Sequence, residues 1–228
     1  MRIAVLGGSF NPLHIGHAML ADSVINELGY DKVIFVPAYN PPHKTLSQNI
    51  PAEHRLKMVE LFCATDKKHF IAEACEIKRQ GISYTVDTLK YLTQKYQSKL
   101  EGKLSFIMGD EVASEFHKWK DPDVISSLAD LIITHRYPDE SYIKDNSHKN
   151  NPTGDYTGEY PLAFDPVNFK YPCVYLKDPL LPVSSTDIRT RVAEKKSFKY
   201  LLPSVVYEYI LKHNLYRELN NESSKDYL

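Results

Sequence analysis

His14 and His17 stand three residues apart in the run Gly7-Gly8-Ser9-Phe10-Asn11-Pro12-Leu13-His14-Ile15-Gly16-His17. At helical spacing two such imidazoles share a face and can point at one anion. The paired glycines serve the same end, because a backbone without Cβ lets a ligand approach closely. Three later stretches carry groups of matching chemistry. Tyr39-Asn40-Pro41-Pro42-His43-Lys44 is a stiff segment ending in two potential cations. Ser83-Tyr84-Thr85 opens a helical run, where exposed backbone N–H groups favour an anion. Ser184-Ser185-Thr186-Asp187-Ile188-Arg189 joins hydroxyls to a guanidinium, whose planar fork can bind two phosphate oxygens at once. No Ser, Cys or Lys falls in a recognisable nucleophile–base pair. The chemistry these groups suit is the alignment and charge stabilisation of phosphates.

Such groups need elements to hold them. The apolar, partly β-branched start up to Leu6 reads as a buried parallel strand. Gly16 to Leu28 has apolar residues at helical spacing, with Gly29 as the stop. A strand, a glycine turn and a helix N-terminus in that order form a phosphate site. Lys32–Ala38 is a second buried strand, and Lys44 lies just past its carboxyl end, the ligand edge of an open α/β sheet. Pro51–Ala64 reads as a helix with proline in its first turn, and Phe70–Ala72 as a brief strand. Ser83 and Thr85 are candidate N-caps for a helix reaching about Tyr96. Leu104–Met108 is a strand that ends in Gly109-Asp110, a place for a ribose hydroxyl. Trp119, the only tryptophan, is flanked by Lys118, Lys120 and Asp121; these charges predict a partly open stacking platform.

A short helix over Pro122–Leu128 and strands at Leu131–Thr134 and Val174–Leu176 complete the alternation. Ser184 with Asp187 three residues on approximates a capping box, and Leu201-Leu202-Pro203 opens a last amphipathic helix. The pattern predicts an α/β fold, a Rossmann-like, doubly wound parallel sheet with helices on both faces. It is read as a single domain over 1–217 with a small C-terminal helical part. Tyr137–Pro172, rich in Asp, Asn, Lys, Tyr and Pro, is expected to be a long polar loop lying against that domain. Residues 218–228 are expected to be a frayed tail.

With 228 residues, 43% hydrophobic and 25% charged, the chain has the composition of an ordinary globular enzyme. Its net charge of −1 gives no general attraction to nucleic acid or to a membrane, so anions must be held locally. No segment approaches the length needed to span a bilayer. Cys63, Cys75 and Cys173 lack metal-ligand spacing and are expected to be buried, reduced thiols, as in a cytoplasmic protein.

The Gly8-to-His17 string resembles the GxFxPxHxGH signature of the HxGH nucleotidyltransferase superfamily, and is most similar to the bacterial nicotinate-nucleotide adenylyltransferases. Asn11 departs from the Asp that many relatives carry; it keeps the turn hydrogen bond without the charge. The resemblance implies the nucleotidyltransferase fold over nearly the whole chain, and adenylyl transfer from ATP to nicotinate mononucleotide. It implies roles for individual residues as well. His14, His17, Lys44 and Arg189 would be catalytic. Gly7, Gly8, Ser9, Phe10, His17, Gly109, Asp110, Ser184, Ser185, Thr186 and Arg189 would bind ATP, and His43, Lys44, Ser83, Tyr84, Thr85 and Trp119 the nicotinate nucleotide. Mg²⁺ would be held mainly by ATP phosphates, with no protein metal site. Partners would be these small molecules, with no nucleic acid or membrane and with homo-oligomers left open. A sister enzyme making dephospho-coenzyme A or transferring cytidylyl, and a nucleotide-binding module without turnover, are the alternatives. The PPHK, SYT and SSTDIR elements favour the first reading, and intact His14, His17, Lys44 and Arg189 speak against loss of turnover.

Overall fold

In the computed structural model, the described residues are 1–41, 50–136, 169–181 and 183–217, without the side chains of 135, 136 and 177–180. The six strands among them are β1 (Ile3–Gly8), β2 (Lys32–Pro37), β3 (Phe70–Ala72), β4 (Leu104–Gly109), β5 (Ala129–Arg136) and β6 (Cys173–Leu180). They form one sheet in the order β3-β2-β1-β4-β5-β6, and every neighbouring pair is parallel. This is the doubly wound arrangement that the alternating pattern predicts. Its strand order reverses between β1 and β4, where the first crossovers leave in opposite directions and open a crevice at the carboxyl edge.

Eight α-helices cover the sheet among the described residues: α1 (Ile15–Asn26), α2 (Ala52–Cys63), α3 (Cys75–Arg79), α4 (Thr85–Tyr96), α5 (Asp110–Ser114), α6 (Pro122–Leu128), α7 (Ser185–Ala193) and α8 (Ser204–Lys212). Strand side chains alternate between two cores, as the two-residue period requires. Ala4, Leu6 and Phe35 face one core with α1, α2, α7 and α8. Ile3, Val5 and Ile34 face the other with α4 and α6. This double burial explains why β1 and β2 read as continuous apolar runs. The C-terminal helices belong to the first of these cores, and α8 packs on α2, where His54 Nδ1 meets the Tyr209 hydroxyl at 2.8 Å.

Two expectations need amendment, and one helix has no expected counterpart. The stretch after Ala74 forms the helix α3, whose five residues are too few to show a period. Strand β6 runs to Leu180, four residues beyond the segment expected. The N-cap of α4 is Tyr84, not Ser83 or Thr85, and no side chain caps it. Gly29, by contrast, has φ of +67° just past α1, the left-handed stop its position predicts. Most of the predicted polar loop (137–168), together with the tail 218–228, lies outside the described residues. Its last part packs on the second core, with Phe169 and Tyr171 against Phe116 at ring distances of 6.0 and 5.1 Å. Cys63 and Cys75 are buried and free, and burial pushes both thiols up to about 12. Cys173 is only half-buried. No described helix is long and apolar enough to cross a membrane.

Candidate active site

Strand β1 delivers Gly7 and Gly8 to the carboxyl edge, beside Val36 and Pro37 of β2. The chain then turns sharply through Phe10, which holds φ of +45°, a left-handed conformation uncommon outside glycine and asparagine. Packing fixes that turn. The Phe10 ring is 1% exposed and meets the rings of His17 and Phe35 at 5.0 and 5.9 Å. A Cβ on Gly8 would lie only 3.2 Å from the same ring. The side chain of Phe10 thus belongs to the core, and only its backbone is left to face a ligand.

His14 is the N-cap of α1 and His17 its third residue. Their rings lie 3.8 Å apart at 33°. His14 N donates to His17 Nδ1 at 3.2 Å. An accepting Nδ1 carries no hydrogen, so neutral His17 bears its proton on Nε2 and presents that N–H as a donor. Gly16 lets the pair close, because a Cβ there would lie 3.1 Å from His14 Nδ1.

The other strong motif arrives at the same loop. Ser184 caps α7, its Oγ accepting from Asp187 N at 3.1 Å, as the capping pattern predicts. Ser185 Oγ donates to Pro12 O at 2.9 Å. Arg189, 6% exposed, donates from Nη1 to Asn11 O at 2.8 Å and from Nη2 to Thr186 Oγ1 at 3.3 Å. In this structure the motif braces the loop before α1. Asn11 is turned inward as well: its Oδ1 accepts from the buried Tyr216 hydroxyl at 2.8 Å.

On the other side of β1 lies a cleft of about 560 Å³. Gly7, Gly8 and Ser9 form one wall, Ser83, Tyr84 and Thr85 another, and the half-buried Trp119 a third. The indole rests on Phe106 and Phe116 at 5.9 and 5.3 Å, leaving it open to the cleft as a platform. Ser83 is spent within the protein: its N–H donates to Asn40 O, and its Oγ accepts from Tyr39 N and Asn40 N. The N–H groups of Tyr84, Thr85 and Val86 have no acceptor among the described residues. These are the orphan donors of a helix start.

Sequence reasoning missed Glu76 at this cleft. It is 7% exposed, lines the cleft and accepts from Thr88 Oγ1 at 2.5 Å, while Arg79 donates to the same hydroxyl at 3.1 Å. Burial pushes its carboxyl above the usual range, against the opposing pull of bonds from Thr88 and Ser83 and of Arg79 and Arg55. Its place beside Lys78 and Arg79 in a charged run gave no sign of burial. Gly109 borders open space, and Asp110 is buried, with Oδ1 accepting from Glu111 N at 2.9 Å. His43 and Lys44 lie outside the described residues. The cleft lining includes neither His14 nor His17. Among the described residues no three His, Cys, Asp or Glu side chains gather as a metal site.

A parallel sheet that reverses at β1/β4, with an HxGH helix start and an apolar cleft at that edge, defines a nucleotidyltransferase-type protein. Residues 5–191 match the cytidylyltransferase-like family. Two relatives named "Probable nicotinate-nucleotide adenylyltransferase" align over 95% of the chain. The one from Treponema pallidum (strain Nichols) is 37% identical and covered in full; the one from Borrelia garinii is 36% identical and 95% covered. The chain belongs to the cytidylyltransferase-like family, and within it to the nicotinate-nucleotide adenylyltransferases. Plasmodium falciparum nicotinic acid mononucleotide adenylyltransferase, solved in complex with NaAD, shares the fold at a TM-score of 0.63 and 19% identity, over 94% of this chain and 97% of that one.

Proposed function

We propose that this chain transfers the adenylyl group of ATP to nicotinate mononucleotide, giving deamido-NAD and pyrophosphate. The observation that carries this reading is the row of orphan N–H donors at Tyr84, Thr85 and Val86, set in a cleft that Trp119 also lines. An aromatic platform suits a pyridine ring, and helix-start amides suit its carboxylate. A phosphate oxygen of the mononucleotide attacks the α-phosphorus of ATP, and the bond to pyrophosphate breaks. That phosphate already carries charge near neutral pH, so no covalent intermediate on the protein is needed. Alignment and charge stabilisation remain to be supplied. His17 Nε2–H, with His14, Lys44 and Arg189, is suited to the second task. Mg²⁺ would come with ATP and offset the charge of its phosphates.

Glu76 bears on the choice between the acid and the amide. An ionised carboxylate beside the amides would repel nicotinate and accept from a nicotinamide NH₂. Burial favours its neutral form, which weakens that opposition. A charge-assisted bond contributes about 1.5–3 kcal/mol against about 1 for a neutral one. The difference of about 0.5–2 kcal/mol predicts that the acid is preferred about two- to thirtyfold in kcat/KM. Pyrophosphate release measured with each mononucleotide, ATP and Mg²⁺ tests this. Equal values, or a preference for the amide, would mean that this turn does not read the carboxylate.

A further inference from the structure

Arg55 occupies the apolar stripe of α2, one turn before Met58 and Val59, and is 1% exposed. Filling space there would call for Leu or Met, because a guanidinium out of water is costly unless its donors are met. Burial indeed lowers its pKa. Its hydrogen bonds go to three carbonyls, all in the segments leaving β1 and β2. Nη1 donates to Ser9 O at 2.8 Å and to Ala38 O at 2.5 Å, and Nη2 to Tyr39 O at 3.1 Å. Nε has no partner among the described residues, so the group is placed for those carbonyls and not for its own complete satisfaction.

The same segments are also tied from their amide side. Ala38 N donates to Gly8 O at 2.8 Å, and Tyr39 N donates to Ser83 Oγ at 3.0 Å. Ser83 N in turn donates to Asn40 O at 2.9 Å. The glycine turn, the segment Ala38–Asn40 and the Ser83 turn are therefore one hydrogen-bonded unit. Arg55 grips two of its three parts from below, and is not among the residues lining the cleft.

We propose that Arg55 is a positioning residue that sets the glycine-turn side of the site in register with the pyridine-nucleotide side, touching neither substrate. The inference rests on the function proposed above. In-line transfer is steep in alignment: a displacement of about 1 Å far from the chemistry can cost about 10²-fold. Lysine cannot replace the fork, since one point charge cannot hold Ser9 and Ala38–Tyr39 together.

The test compares full-length wild type with Arg55→Lys in kcat, in the separate Kd values for ATP and nicotinate mononucleotide by calorimetry, and in thermal midpoint. We expect kcat to fall about 10- to 100-fold while each Kd moves less than about threefold. Ser83→Ala loosens the same segment from the amide side and should repeat the pattern at about three- to tenfold, which keeps the test open should Arg55→Lys not fold. An unchanged kcat, or a loss matched by weaker Kd values or by the unfolded fraction, overturns the role. Wild type that releases no pyrophosphate with this substrate pair overturns the function itself. Active wild type with an unaffected variant overturns the positioning alone.

Discussion

His17 can act as a donor because its other ring nitrogen is already engaged. With Nδ1 accepting from His14 N, the imidazole need not protonate to offer an N–H to a phosphate. Removing one preorganised donor of this kind costs about 10²–10³ in rate. We expect His17→Ala to lower kcat by that factor while far-ultraviolet circular dichroism stays at the wild-type level. A loss under about threefold, measured as pyrophosphate release, would place the donor elsewhere. His14 and His17 were legible as a pair because spacing alone puts them on one face. Arg55 was not, although it left a trace: with Met58, Val59 and Phe62 it falls on the i, i+3, i+4, i+7 stripe of α2, where an arginine is out of character.

Among the elements, the turn between α3 and α4 departs most from its local sequence. Ser83 has the chemistry of an N-cap, yet its hydroxyl serves amides 43 and 44 residues away. Contacts of that range leave no local signature, whereas β3 and α6, which short-range pattern defines, match the expected bounds residue for residue. The same turn should make stability depend on pH. Burial raises the Glu76 carboxyl above its ordinary value of 4.5, so the folded chain holds this proton to higher pH than the unfolded chain does. The contribution is full below that value and is lost as pH rises through the folded one. Glutamine keeps an acceptor for Thr88 and cannot ionise. Glu76→Gln should therefore gain stability relative to wild type over the interval that begins at about pH 4.5 and runs upward, followed by urea unfolding at each pH. A difference that is flat or falls over that interval would show that the carboxylate is well accommodated as an anion.

At the scale of the molecule, a chain of net charge −1 meets polyanionic substrates without a field of its own, and puts Arg55 and Arg189 beneath the loop that follows β1 instead. Tyr216 lies near both guanidiniums, and its hydroxyl reaches Asn11. Tyr216→Phe removes a donor from a buried acceptor, which should cost about 1–3 kcal/mol. A lowered urea midpoint with an unchanged slope would record it. A midpoint equal to that of wild type would mean that the bond contributes nothing net.

The bond between residues 216 and 11 also imposes an order in time. Synthesis runs from the N-terminus, so the histidine loop leaves the ribosome long before its clamp exists. At about 5–20 residues per second, the separation of 205 residues takes roughly 10–40 s to make. Throughout that interval the nascent chain holds β1 and α1 but not the tyrosine that pins the loop joining them. The polypeptide completes this loop only once residue 216 has been made, when a segment bent back through left-handed Asn214 and Tyr216 reaches Asn11.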